Sequence, residues 1–182
     1  MRRIIPLPAF PPARLVGLFL LCATVPAYAQ DPRLSRLDSA TAAQVRLVAD
    51  SARAEGLPAE PLIQKALEGK VKGADSERIV SAVRILRGQL AQAREALGSQ
   101  ADAAELVAGA ASLRVGASPA ALTELRALRR EGSLVVPLGV LADMVAAGVP
   151  VDTAWRSVER LARAGSDDAD FVALRERMAE RR

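Results

Sequence analysis

From residue 38 onward the chain repeats one pattern: a glycine, a turn or cap residue, then an apolar stripe at helical spacing. The glycines are Gly56, Gly73, Gly98, Gly116, Gly132, Gly148 and Gly165, separated by 17, 25, 18, 16, 16 and 17 residues. Two positions after each glycine stand Pro58, Asp75, Gln100, Ser118, Leu134, Pro150 and Asp167, mostly residues that start helices. Six positions after it stand Leu62, Ile79, Ala104, Leu122, Leu138, Ala154 and Phe171, all apolar. Glycine accepts the left-handed conformation that closes one helix, and the cap residue opens the next.

The stripes have the helical period. Val151, Ala154, Trp155, Val158, Leu161 and Ala162 follow one face, as do Ile79, Ala82, Val83, Leu86, Leu90, Ala93 and Leu97. The pattern predicts eight helices over about 38–55, 59–71, 75–97, 100–114, 119–131, 137–147, 151–164 and 167–180. Thr41 with Gln44 reads as a capping box, and Ser99 with Asp102 approximates one. Ser133–Val136 is the one strand-like patch, cut short by Pro137. Gly69, Gly88 and Gly109 fall inside predicted helices, either to permit close crossings or to end the helix early; Gly69–Gly73 is the stretch most open to being a loop. The fold class is all-α. Its architecture is either a helical-repeat, solenoid-like array or a compact irregular bundle, since a 16–18-residue step fits both. Signatures of tetratricopeptide, ankyrin or armadillo repeats are missing.

The first 29 residues follow another logic. Arg2, Arg3 and Arg14 supply positive charge, and no acid precedes Asp31. The apolar run Leu15–Val25 is shorter than the roughly 20 residues that cross a bilayer. Ala27 and Ala29 then form the A-x-A pattern of a signal-peptidase site. The expected organisation is a signal peptide over 1–29 cut after Ala29, a short polar lead-in over 30–37, and one helical domain over 38–182. Leu21 before Cys22 argues against a lipidated cysteine, and the surroundings of Arg2–Arg3 argue against twin-arginine export.

Cleavage changes the charge. Three of the 25 basic residues and none of the 21 acidic ones leave, so the mature chain carries 22 − 21 = +1 rather than +4. A general attraction to nucleic acid or to an anionic membrane surface loses its basis. The mature chain also has no Cys, His or Tyr, and its aromatics are Trp155 and Phe171. Ser-His-Asp and Cys-His sets are therefore impossible, and zinc, copper and haem sites lose their usual ligands. Lys65, Lys70 and Lys72 are the only lysines, none placed for a Ser-x-x-Lys motif, and no phosphate-binding glycine loop is present. Paired carboxylates remain possible, since all 21 Asp and Glu survive cleavage. Asp168 and Asp170 could begin a calcium loop, but the other ligands and the central glycine are missing, so they read as helix-capping acids.

Arg156, Arg160 and Arg163 share one helix face, Arg84, Arg87 and Arg94 share another, and Arg126, Arg129 and Arg130 form a third cluster. Each can be a solvated face or part of a surface for an anionic partner. The expected function is non-catalytic. An exported protein, periplasmic or extracellular, would meet the membrane only transiently through its signal peptide and present a helical surface to a protein partner in the cell envelope, with no cofactor, no metal and no nucleic acid. The candidate surface is Arg156, Arg160 and Arg163 with Trp155, because arginine and tryptophan dominate binding hot spots. The alternatives are an envelope- or membrane-surface-associated helical protein and, third, a carboxylate-dependent enzyme.

Overall fold

A computed structural model describes residues 31–179. Among them are eight α-helices and no strand: α1 Ser39–Ala54, α2 Glu60–Val71, α3 Ser76–Leu97, α4 Ala103–Arg114, α5 Pro119–Leu128, α6 Val135–Ala146, α7 Val151–Arg163 and α8 Asp168–Ala179. The expected signal peptide and its cut after Ala29 lie outside the described residues. Of the expected lead-in, Pro32–Arg36 forms a 3-10 turn, and Leu34 and Leu37 join the core.

Five helix ends share one hydrogen-bond pattern. After α1, Gly56 takes φ +71, its N–H donates to the Arg53 carbonyl at 3.0 Å, and the Leu57 N–H donates to the Ala52 carbonyl at 2.8 Å. Gly73, Gly116, Gly148 and Gly165 repeat this paired closure, the arrangement in which a left-handed residue satisfies two last-turn carbonyls. The residue after the glycine turns inward, as Leu57 and Ala117 do, and the cap then starts the next helix. Asp75 accepts from the Arg78 N–H at 2.8 Å and Ser118 from the Ala121 N–H at 3.1 Å.

Several expected details shift. The α3–α4 turn carries two more residues, so the α4 cap is Asp102, which accepts from the Glu105 N–H. The apolar position moves with it: Leu106 is fully buried and Ala104 is exposed. Asp38 rather than Thr41 caps α1, its carboxylate accepting from the Thr41 N–H at 2.9 Å. Ser133–Val136 is not a strand but runs into α6, and Pro137 sits inside its first turn, where a missing N–H costs nothing. Gly132 is not a helix-closing glycine, because α5 has already ended at Leu128.

The odd-numbered helices pack in order, α1 on α3, α3 on α5 and α5 on α7, while α4 packs on α6 and α6 on α8. Helix α3, the longest, also receives α2 and α4. One core of mostly Leu, Val and Ala runs through them, including Leu62, Val83, Leu90, Leu106, Leu122, Leu138, Val158 and Phe171.

Two of the helix-interior glycines mark close crossings. A Cβ on Gly69 would lie 2.9 Å from Ile79 Cγ1, and one on Gly109 would lie 3.0 Å from Ala93 Cβ and 3.3 Å from Leu122 Cδ2. Gly88 has open space around it. G88A should therefore raise stability by about 1 kcal/mol, the ordinary helix preference for alanine. G109A gains the same preference but overpacks α4 against α3 and α5, and overpacking costs ~1–3 kcal/mol. Urea midpoints should move in opposite directions; a shared direction would mean that the crossing relaxes freely.

Candidate functional site

The three arginine groups have different fates. Arg84, Arg87 and Arg94 bind α3 to α1 and to the turn that follows α1. Arg84 donates to Gln44 Oε1 at 2.9 Å, Arg87 pairs with Glu55, and Arg94 donates to the Gly56 carbonyl at 2.9 Å. Arg87 and Ser51 both bond the Glu55 carboxylate and hold its pKa below the usual carboxylate value. At the start of α1, the Thr41 N–H and the Ser76 hydroxyl, each donating at 2.9 Å, favour ionised Asp38 and lower its pKa to about 2.

Arg126 and Arg129 turn inward from the end of α5. Arg126 donates to Glu105 Oε2 at 2.5 Å and to the Gly132 carbonyl at 3.3 Å. Glu105, only 5% exposed, uses its other oxygen to accept from the buried Leu134 N–H at 2.8 Å. Arg129 donates to the Ser166 carbonyl at 2.6 Å and to Asp168 Oδ1 at 2.8 Å, and its guanidinium lies 5.2 Å from the centre of the Phe171 ring. Arg130 alone of this group is exposed without an ion pair among the described residues. These side chains fasten the 129–134 connection to α4, to the start of α6 and to the α7–α8 turn. Asp167 accepts from the Asp170 N–H at 3.1 Å, so the acids around 168 cap α8 and hold Arg129. The sequence pattern does not single out Glu105, which joins Arg126 to the Leu134 N–H.

The candidate face on α7 is what remains. Ala154, Val158 and Ala162 are buried and fix the roll of the helix, which turns Arg156, Arg160 and Arg163 outward. Arg163 is tied down: Nη2 lies 2.6 Å from both Glu124 of α5 and Glu159. That pair raises the Arg163 pKa and lowers the Glu159 pKa, each favouring its charged form. Arg156 and Arg160 have no hydrogen bond or ion pair among the described residues. Trp155 is half-buried and packs against the core. At about 100° per residue it sits on the shoulder of the helix, beside rather than between the arginines.

Among the described residues no group of three or more His, Cys, Asp or Glu is placed to hold a metal ion. No described helix is long and apolar enough to cross a membrane. Compared with protein families, with curated proteins and with solved structures, the chain matches none of them.

Proposed function

We propose that this is an exported helical protein that works by presenting a helix face to an acidic protein partner in the cell envelope, without catalysis. The observation that carries this reading is the pair Arg156 and Arg160, two exposed guanidiniums on a firmly seated helix with no carboxylate of their own. Arginine offers a rigid fork of donors that binds carboxylates bidentately, and its side chain is preorganised where the helix beneath is fixed. Arg163 belongs to the same face but already bridges α5 and α7.

The test is therefore the double reversal R156E/R160E with Arg163 left in place. Exposed substitutions change stability by only about 0.5 kcal/mol each, so the helical circular dichroism should be unchanged. A partner cross-linked to the wild-type protein in its envelope fraction should be lost from the variant. Undiminished capture would reduce the face to a solvated one. Turnover of a substrate by the purified protein, stopped by an Asp or Glu substitution, would refute the non-catalytic reading.

A further inference from the structure

A second surface lies on the other end of the row of odd helices. Between α1 and α3 runs an open groove of about 490 Å³, lined by Ala40, Gln44, Ser76, Val80, Ser81 and Ile85 together with Glu77 and Arg84. The two helices are parallel, tied near their starts by the Ser76 hydroxyl donating to Asp38 Oδ2 at 2.9 Å and further along by Arg84 donating to Gln44. Four large apolar side chains stand exposed among the described residues, and two belong to these helices: Ile85, 60% exposed, and Leu47, 64% exposed. Leu47 shares the outer side of α1 with Ala40, two helical turns away.

The charges are of both signs and neither is neutralised. Glu77 has no hydrogen bond or ion pair among the described residues, and Arg84 meets only the neutral amide of Gln44. They lie seven residues apart on one side of α3, about 10.5 Å along its axis at ~1.5 Å per residue. A patch that carries an unmatched acid and an unmatched base at a fixed spacing is complementary to its own two-fold copy.

We infer that the α1–α3 groove is a self-association face, and that its occupant is a second copy of this chain. The two-fold runs antiparallel, with Glu77 of each copy opposite Arg84 of the other. The midpoint then falls between Val80 and Ser81, where Ser81 is small enough for the helices to approach. In the same register Ile85 of each copy stands opposite Ser76 of the other. It thereby enters the part of the groove that Ala40 and Val80 line and leaves water there. The pairing uses none of the α7 arginines, so it holds or fails independently of the function proposed above.

The experiment is sedimentation equilibrium on protein purified after expression of the full chain. Wild type should show twice the monomer mass. E77R places like charges opposite each other twice, as does R84E, and each alone should halve the mass while circular dichroism stays helical. An equimolar mixture of E77R with R84E restores both pairs, because one copy then carries two arginines and the other two glutamates; the mixture should regain the doubled mass. The double variant E77R/R84E should regain it as well. A wild-type protein that is monomeric throughout the concentration range, or a dimer indifferent to either reversal, overturns the inference. So does a mixture that stays monomeric while both components are folded.

Discussion

Replacing Glu105 with alanine should cost about 3 kcal/mol of stability, read as a fall in urea midpoint at unchanged slope. Two losses combine. Arg126, whose side chain is only 24% exposed, loses its carboxylate and keeps only the Gly132 carbonyl at 3.3 Å. The Leu134 N–H, in a fully buried residue, loses its acceptor. An unpaired buried donor costs about 1–3 kcal/mol on its own. Glu105→Gln keeps one oxygen for the Leu134 N–H but turns an amide NH2 toward Arg126, so it spares the buried donor while losing the ion pair, and its loss should be smaller than that of alanine. A loss below about 1 kcal/mol for Glu105→Ala would place the pair with ordinary exposed salt bridges.

The other large effect is expected at Phe171. Its ring is fully buried where α8 meets the core, and truncating a buried phenylalanine to alanine costs about 3–5 kcal/mol. The Arg129 guanidinium over the ring adds an attraction of about 0.5–2 kcal/mol that disappears with it. The damage should be local before it is global. In F171A the amides of α8 should exchange with solvent much faster than those of α3, whereas F171L, which keeps apolar volume, should protect α8 better. Equal protection of α8 in wild type and F171A would show that α8 is held by something other than this ring.

The helices were legible because their signals are local. A glycine two residues ahead of Asp75 or Ser118 is a complete instruction: close one helix, open the next. Where that spacing broke, the reading slipped. Ser99 and Gln100 lengthen one turn, which moved the α4 cap to Asp102 and the buried position from Ala104 to Leu106. Thr41 with Gln44 has the spacing of a capping box, but the helix opens three residues earlier: Asp38 accepts from the Thr41 N–H itself, and Thr41 lies inside α1. The apolar pattern predicts α5 as far as 131, and the helix ends at Leu128. Beyond that residue the backbone leaves the helix, and Arg129 goes to the α7–α8 turn, 37 residues on.

The arginine groups were the harder case. Periodicity says that three arginines share a face but not which neighbour covers it. A long stem lets arginine lie along apolar surface and deliver its charge to a distant carbonyl. Arg87, Arg126 and Arg156 therefore look alike in the sequence, yet one joins two helices, one closes a buried network and one faces solvent. A signal for the buried network did exist. Glu105 sits on the same stripe as Leu106, Gly109 and Ala110, where an acid must find a partner or leave.

Trp155 is the single tryptophan of the chain, and no tyrosine follows residue 28. Its half-buried seat on α7 makes ultraviolet emission a private view of one helix. A ligand that settles over Arg156 changes the polarity beside the indole and moves the emission maximum. Association through α1 and α3 leaves the spectrum still. The molecule thus carries an optical label that separates events at its two candidate surfaces, with no dye attached.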